Sequence, residues 1–422
     1  MTMPDATDDP DLPAAPDTAV SVPLLSPRDG VPDVVTTTEG VAKAAAALSA
    51  GTGPLAVDAE RASGFRYSAR AYLIQLRRAG SGTFLLDPIP TGTDLAALAA
   101  AINPLEWILH SADQDLPCLA EVGLFPARLY DTELAGRLAG FDRVGLAAIV
   151  ERTLGLELRK GHGAADWSKR PLPDSWLNYA ALDVEVLVEL HTEMTAELER
   201  QGKTEWAAQE FEHVRLAGPP KPKPDRWRRL SHVTTLGTTR QLALARSLWQ
   251  AREDLARKRD VSPSRVLPDS AIIAAARENP VTIEQLRALP VFGGPRQRRH
   301  SRHWLQALES ARVLPDDELP TKRPVTTGPP PANKWARVDP EAAERLSAAR
   351  AALTELSGQV SVPVENLVTP ELVRRLCWDW TTPGDGEVET AIDGVLSTGG
   401  ARPWQRELTV PLLGTVLGTS VS

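Results

Sequence analysis

The stretch LAVDAERAS, residues 55–63, joins a run of apolar residues directly to two carboxylates, Asp58 and Glu60. The apolar residues favour a buried β-strand. Side chains two positions apart in a strand share a face, so Asp58 and Glu60 would lie about 7 Å apart along the chain and repel each other. Solvent, a neighbouring arginine or a bound cation must offset that repulsion.

Length and composition predict a multidomain protein without a membrane segment. The chain has 422 residues, 42% hydrophobic and 24% charged, which fits two or three globular domains. The two cysteines, Cys118 and Cys377, stand far apart and outside any ligand motif, which argues against a disulfide framework or a thiolate metal site. The sequence has no apolar run of membrane length and no signal segment, so we expect a soluble, cytoplasmic protein.

Charge is distributed unevenly along the chain. The formal net charge is −8, yet residues 221–312 hold 19 Lys and Arg against 8 Asp and Glu. That region therefore carries +11 and the remainder −19. A basic middle between acidic flanks suggests an anionic partner, such as nucleic acid, for the middle region.

Proline-rich stretches divide the chain into three domains. The predicted segments are an acidic, Pro-rich disordered tail (1–33), a first domain (34–216), a Pro-rich linker (217–225), a middle domain (226–315), a second Pro-rich linker (316–337) and a last domain (338–418). The first domain alternates strand and helix patterns, with a hairpin signal at 80–82, which predicts an α/β fold with a mixed sheet and flanking helices. The other two domains show helical patterns only.

Two further acids stand in otherwise apolar segments of the first domain. Asp115 follows the predicted strand WILHS and begins a helix, and Asp183 lies four residues after Tyr179, on the same helix face. Each acid alone also fits a helix cap or a solvated surface position.

Their combination resembles a known family. The stretches VDAERASGFRY, ILHSADQDL and YAALDVEVL resemble, in order and spacing, the three motifs of the DEDD exonucleases, and the YxxxD form of the third is typical of the tyrosine subgroup. With YDTELAGRLAG and LELRKGHGAADWSKRPL, residues 34–216 resemble the ribonuclease D family. The resemblance implies a ribonuclease H-like sheet with flanking helices.

The resemblance also implies a role for each acid. Two divalent ions, Mg²⁺ or Mn²⁺, would be bound by Asp58, Glu60, Asp115 and Asp183, with Asp58 bridging both ions and Asp115 acting mainly through water. Such ions prefer carboxylate oxygens and would neutralise the repulsion between Asp58 and Glu60. Tyr179 would orient or deprotonate the attacking water. Nucleoside 5′-monophosphates would then leave from the 3′ end.

Other residues of the first domain have less specific signals. Lys160 and His162 precede DW in a loop where the family contacts the substrate backbone, although KGHGAADW departs from the family pattern in detail. We expect His110 to be a packed, hydrogen-bonded residue and Asp131 to cap a helix. Arg61, Arg66 and Arg70 fit contact with the scissile strand and a solvated loop equally well.

The middle domain resembles an HRDC domain, through LWQARE, RDVSP and VLPD. Its segment FGGPRQRRHSRHW places a glycine turn before Arg296, Arg298 and Arg299, which predicts contact with nucleic-acid phosphates. A helical spacer with a basic face is the alternative. The last domain repeats the pattern faintly as a degenerate second HRDC-like domain, and we expect its tryptophans Trp378, Trp380 and Trp404 to be buried core residues.

The sequence therefore predicts a 3′→5′ exoribonuclease that acts as a monomer on structured RNA precursors, especially tRNA 3′ ends. Two alternatives are a 3′→5′ DNA exonuclease and a catalytically idle RNA-binding scaffold. The complete set of four acids with Tyr179 argues against the scaffold.

Overall fold

The computed structural model describes residues 21–90, 94–159, 161–219, 223–323, 328–381, 383–384 and 386–418. Its strands are β1 (Val22–Leu24), β2 (Val34–Val35), β3 (Thr52–Arg61), β4 (Ala71–Ala79), β5 (Gly82–Leu86), β6 (Glu106–Leu109), β7 (Arg128–Asp131) and β8 (Leu156–Leu158). The helices of the same region are α1 (Thr38–Ala50), α2 (Ala96–Ile102), α3 (Leu116–Ala120), α4 (Thr132–Leu138), α5 (Leu146–Leu154), α6 (Asp174–Glu185), α7 (Leu187–Arg200) and α8 (Thr204–Leu216).

The rest of the described chain is helical. The middle domain holds α9 (Thr239–Arg259), α10 (Pro263–Val266), α11 (Asp269–Glu278), α12 (Ile283–Ala288), α13 (Pro295–Arg298) and α14 (Ser301–Arg312). The last domain holds α15 (Trp335–Val338), α16 (Pro340–Val360), α17 (Val364–Leu367), α18 (Pro370–Trp378), α19 (Val388–Thr398) and α20 (Pro403–Gly418). No described helix is long and apolar enough to cross a membrane.

A six-stranded mixed sheet forms the first domain, with the order β2-β5-β4-β3-β6-β7. β4 is antiparallel to both β3 and β5, whereas β3, β6 and β7 run parallel to one another. Helices cover the sheet and bury its apolar side chains, among them Leu55, Val57, Ile74 and Trp107. This arrangement confirms the predicted α/β class.

The predicted hairpin around residues 80–82 is confirmed. Gly80 and Gly82 both adopt positive φ angles near +80°, a backbone conformation that residues with a Cβ rarely adopt. These two glycines therefore let β4 turn back into β5 within two residues. The hairpin holds β4 beside β3, where Asp58 pairs in register with Gln75.

Two segment boundaries differ from the prediction. Residues 21–33 fall within the predicted disordered tail, yet β1 pairs with β8, so that part of the prediction is wrong; residues 1–20 lie outside the described residues. The last domain begins before residue 338, because Trp335 is fully buried in its core. Parts of both predicted linkers, 220–222 and 324–327, lie outside the described residues.

The two helical domains share one layout. Each contains a 21-residue helix, α9 or α16, that ends at a residue in the left-handed conformation, Asp260 or Ser361. A four-residue helix, α10 or α17, follows in each, and then α11 or α18 packs against the first long helix. The terminal helix, α14 or α20, packs on that same long helix. The common order supports the HRDC-like interpretation of the last domain, which remains a prediction.

Both helical domains contact the first domain at the same corner of their fold. In the middle domain, Asp260 accepts a hydrogen bond from the Ser68 amide at 2.8 Å and pairs with Arg70 at 3.1 Å. In the last domain, the Ser361 carbonyl accepts a hydrogen bond from the Lys203 ammonium at 3.3 Å.

Further contacts secure the last domain. Arg402 forms a bidentate ion pair with Glu210, with hydrogen bonds of 2.6 and 2.8 Å. Trp404, which is buried as expected, stacks on Trp206. Trp378 and Trp380 are partly buried against the core of the last domain. The last domain is therefore fixed to the first by an apolar contact and a buried ion pair.

Candidate active site

A cavity of about 360 Å³ opens at one edge of the sheet. Asp58 and Glu60 stand near the carboxyl end of β3, and Asp115 follows the carboxyl end of β6. Because β3 and β6 are parallel, their carboxyl ends meet at the same edge of the sheet. Helix α6 packs across β3 and brings Tyr179 and Asp183 to that edge. All five predicted catalytic residues line this cavity.

The acids form one compact cluster. Carboxylate oxygens of Asp58, Glu60 and Asp183 all lie within 4.8 Å of one another. The carboxyl group of Asp115 lies within hydrogen-bonding reach of Asp58, and it pairs with Arg61 at 3.2 Å. Asp58 is therefore the acid that adjoins both Asp115 and the other two carboxylates.

Burial and repulsion raise the pKa values of the four acids. At Glu60, burial is the largest cause, the charges of Asp58, Asp183 and Asp115 add to it, and the pKa rises to about 10. Burial also raises the pKa of Asp58, and burial together with the charge of Asp58 raises the pKa values of Asp115 and Asp183. Arg61 opposes the shift at Asp58 and Asp115. A cluster that disfavours its own negative charge in this way is stabilised when it binds cations.

The donor set fits divalent metal ions of the hard class. Its ligands are carboxylate oxygens only, which Mg²⁺ and Mn²⁺ prefer over nitrogen or sulfur. One Asp115 oxygen, Oδ1, is buried and accepts no hydrogen bond from the described residues. The same oxygen pairs with Arg61 Nη2 at 3.2 Å without hydrogen-bond geometry, so it offers the cluster a ligand atom beside Asp58 that Arg61 partly neutralises.

Asp131 and His110 support the turn that carries Asp115. Asp131 caps α4 as expected, and its two oxygens also accept hydrogen bonds from the amides of Ser111 and Ala112, at 3.2 and 2.8 Å. His110 is hydrogen-bonded to Thr132 at 2.9 Å, and burial lowers its pKa to about 4. These contacts bear out the packing role expected of His110 and fix the approach to Asp115.

Tyr179 lies beneath the loop that contains His162. The Tyr179 hydroxyl lies close to Asp183, and burial, the largest cause, together with the charge of Asp183 raises the pKa of that phenol. The backbone of Gly161 packs directly on the ring, because a Cβ at Gly161 would lie 1.8 Å from a Tyr179 ring carbon. The imidazole of His162 stands edge-on to the same ring at 5.9 Å between centroids. Only glycine at position 161 permits this close approach, a constraint that the sequence pattern did not reveal.

The structure distributes the predicted nucleic-acid-binding residues over two places. His162 adjoins the active-site cavity, whereas Lys160 lies outside the described residues. Arg296 and Arg299 line a second cavity, between the first and middle domains, and Arg298 is not among its lining residues.

Two further basic residues, Arg159 and Arg61, lie near the acids. Arg159, which the sequence analysis missed although it precedes Lys160 in a basic stretch, lines the active-site cavity and is exposed. Arg61, which the sequence left open between strand contact and a solvated loop, hydrogen-bonds Gln114 and pairs with Asp115.

Comparison with known proteins assigns a class to the first domain. Residues 32–199 match the family model described as a 3′–5′ exonuclease, and residues 241–308 match the HRDC domain. Residues 328–417 match a third family model, described as a 3′ to 5′ exonuclease C-terminal domain. The chain thus combines a 3′–5′ exonuclease domain with a helical region that contains an HRDC domain.

A curated relative and two solved structures refine that class. The ribonuclease D of Acidiphilium cryptum is 32% identical over 330 residues, which cover 76% of this chain and 83% of that protein. The crystal structure of Escherichia coli RNase D, an exoribonuclease involved in structured RNA processing, matches with a TM-score of 0.66 at 26% identity, covering 92% of this chain and 98% of that one. A protein from Bifidobacterium adolescentis matches with a TM-score of 0.88 at 38% identity, covering 94% and 100% of the two chains.

The chain belongs to the ribonuclease D family. This assignment confirms the resemblance found in the sequence, and with it the class of a metal-dependent 3′→5′ exoribonuclease.

Proposed function

We propose that this protein removes nucleotides from RNA 3′ ends with two Mg²⁺ or Mn²⁺ ions held by Asp58, Glu60, Asp115 and Asp183. One observation carries the proposal: three carboxylates lie within 4.8 Å of one another in a cavity that Tyr179 also lines. Two bound divalent ions would activate the attacking water and stabilise the negative charge of the leaving 3′ oxygen. Each cycle would release one nucleoside 5′-monophosphate.

The arrangement of the acids supports a different role for each. Asp58 adjoins both Asp115 and the pair formed by Glu60 and Asp183, so it is the residue suited to bridge two ions. Asp115 is held by Arg61, which takes up part of its charge and leaves Asp115 the more indirect ligand. Glu60 and Asp183 complete the ligand set on the other side.

Tyr179 would position the attacking water in this scheme. Its hydroxyl reaches Asp183, one helical turn along α6, and lies inside the cavity. A raised pKa keeps the phenol protonated at neutral pH, so it can orient a water molecule by hydrogen bonding. Orientation is therefore favoured over proton abstraction by the tyrosine itself.

Basic residues on the loop over Tyr179 would hold the substrate backbone. Arg159 lines the cavity with no carboxylate within 4 Å among the described residues, and His162 stands beside Tyr179. Lys160, between them in sequence, is assigned the same role from its position alone. Since no carboxylate of the described residues pairs with the Arg159 guanidinium, that group would be available to pair with a substrate phosphate in the cavity.

Structured RNA precursors, especially tRNA 3′ ends, are the substrates we propose, with the protein acting as a monomer in the cytoplasm. The involvement of the E. coli relative in structured RNA processing supports this class of RNA. Arg296, Arg298 and Arg299 would contribute backbone contacts, in line with the +11 charge of residues 221–312. Light scattering of the purified protein tests the monomer.

A direct assay separates this proposal from its alternatives. Purified protein is incubated with 5′-labelled RNA and DNA of one sequence, with Mg²⁺, with Mn²⁺, and with EDTA. We expect a ladder of RNA shortened from the 3′ end and nucleoside 5′-monophosphates, both only with metal. Faster shortening of DNA would favour the DNA exonuclease, and RNA binding without any shortening would favour the scaffold.

A further inference from the structure

A second cavity, of about 400 Å³, lies where the middle domain meets the first domain. The first domain contributes Arg66, and the middle domain contributes Arg259, Arg265, Arg296, Arg299 and His300. Asp166 is the one acid that lines this cavity among the described residues. The lining thus gathers five arginines from two domains around a single space.

These arginines have no counter-ion in the described part of the chain. No carboxylate oxygen lies within 4 Å of any of the five guanidinium groups, although ion pairs to arginine are frequent elsewhere in the protein. Arg66 donates a hydrogen bond to Ser168 at 2.8 Å, and Arg265 donates one to the Gly64 carbonyl at 2.9 Å. Arg259 and Arg299 make no side-chain hydrogen bond with the described residues. Like charges held this close repel one another, and an anion in the cavity would offset that repulsion.

The basic cavity lies next to the active site along two chain segments. The first runs from Asp58 and Glu60, in the active-site cavity, to Arg66 in the basic cavity. The second runs from Arg159 and Gly163, in the active-site cavity, to Asp166 in the basic cavity. Arg61 and Phe65 are four residues apart, so their Cα atoms are at most about 14 Å apart. That upper limit corresponds to about four nucleotides of a stacked strand, so a short RNA strand can span the two cavities.

We propose that this interdomain cavity binds backbone phosphates of the RNA strand up to about four nucleotides upstream of the bond being cleaved. The inference rests on the proposed RNA substrate and adds a second binding site to it. Guanidinium groups present planar, fixed donors that match phosphate oxygens. Because both domains contribute, the site exists only while the middle domain is docked.

Because the basic cavity lies apart from the active site, its contribution to RNA binding should depend on the length of the RNA. The single phosphodiester of a dinucleotide must lie at the active site, so none is left for the basic cavity, whereas a 12-nucleotide RNA has phosphates for both. Loss of the basic cavity should therefore raise the KM for the 12-mer and leave the turnover of the dinucleotide unchanged. As the enzyme shortens the 12-mer, the difference from wild type should disappear near four or five remaining nucleotides.

The test compares two full-length double variants that lose the same charge. Arg259→Gln with Arg299→Gln removes the two cavity arginines that make no internal hydrogen bond, so docking of the domain is preserved. Arg337→Gln with Arg350→Gln is the matched control, because both residues are exposed on the last domain and pair with no carboxylate within 4 Å among the described residues. Two quantities are measured: KM and kcat on the dinucleotide and the 12-mer, and binding of the 12-mer in EDTA over a salt series.

We expect the cavity variant to bind the 12-mer about tenfold more weakly at low salt, with a salt slope shallower by up to about 1.4. The control should match wild type. Equal weakening by both variants, or equal loss on the dinucleotide, would overturn the proposed site. Since binding is measured without metal or cleavage, a protein that binds RNA this way but degrades none would refute the proposed function alone.

Discussion

The two cavities of this protein are lined by different residues and differ in charge and origin. The active-site cavity is acidic and is built by the first domain alone, whereas the basic cavity needs residues from two domains. A cluster of carboxylates can bind a phosphate only through metal ions, whereas arginines bind phosphate directly. We therefore expect damage to the first cavity to reduce turnover of every RNA, and damage to the second to weaken binding of long RNA only.

The largest effect is expected from Asp58→Asn, which neutralises the carboxylate that adjoins the other three acids. Because a neutral amide holds two cations poorly, kcat should fall by at least about a thousandfold on the dinucleotide and the 12-mer alike. The rate of release of nucleoside 5′-monophosphates at saturating RNA measures kcat. Asp113→Asn is the matched control, since Asp113 is an exposed acid two residues before Asp115.

Thermal unfolding separates this loss from misfolding. Without metal, Asp58→Asn should melt at or above the wild-type temperature, because it removes one of several mutually repelling charges. Mg²⁺ should raise the melting temperature of wild type and not that of the variant. Near-normal nucleotide release by Asp58→Asn would contradict the two-metal assignment.

Tyr179→Phe tests the second element of the acidic cavity and should have the next largest effect. Removal of the hydroxyl that orients water should lower kcat by about a hundredfold or more on both substrates. KM should change little, because the ring and its contact with Gly161 remain. If KM rises while kcat holds, Tyr179 is a substrate contact and not a positioning group.

A smaller loss is expected from Gly161→Ala, which acts on Tyr179 from above. The new methyl group would overlap the tyrosine ring, so the loop or the ring must move. Misplacement of this kind should lower kcat about ten- to a hundredfold. Gly163→Ala is the control, because its methyl group would meet the Tyr179 hydroxyl at an ordinary 3.7 Å. Equal activity of both variants would mean that the loop does not set the position of Tyr179.

The acidic cavity could be predicted from sequence because its acids and Tyr179 stand in three stretches that together resemble the motifs of a known family, although each stretch alone was ambiguous. Asp58 and Glu60 end an apolar strand, Asp115 follows another strand, and Tyr179 and Asp183 share one helix face. The parallel pairing of β3 and β6 places Asp58, Glu60 and Asp115 at the same edge of the sheet. This juxtaposition depends on strand direction and not on contacts between distant side chains. The α/β class followed from the same alternation of strands and helices.

The contact of Gly161 with Tyr179, the pairing of β1 and the basic cavity could not be predicted, because no local sequence pattern indicates them. Gly161 looks like any loop glycine until the fold places it on Tyr179. β1 pairs with β8, which lies more than a hundred residues later in the chain. Because the sequence does not reveal this partner, the proline- and aspartate-rich segment that contains β1 was predicted to be disordered. Likewise, Arg66 stands almost 200 residues before Arg259, and only docking of the middle domain through Asp260 brings them to one cavity. Composition showed that residues 221–312 are basic, but not which arginines face the nuclease.

The smallest expected effect separates two neighbouring arginines that the sequence treats alike. Arg299 lines the basic cavity and Arg298 does not, although both are exposed and carry the same charge. Arg299→Gln should raise the KM for the 12-mer about threefold and reduce the salt slope of binding by about 0.7, the contribution of one phosphate on a single strand. Arg298→Gln should change both quantities less, because its proposed backbone contact lies outside the cavity. The dinucleotide should be turned over at the wild-type rate by both variants, because the active-site cavity is intact. Equal effects of the two substitutions on the 12-mer would mean that RNA binds along a broad basic face of the middle domain. The basic cavity would then not be a separate phosphate-binding site.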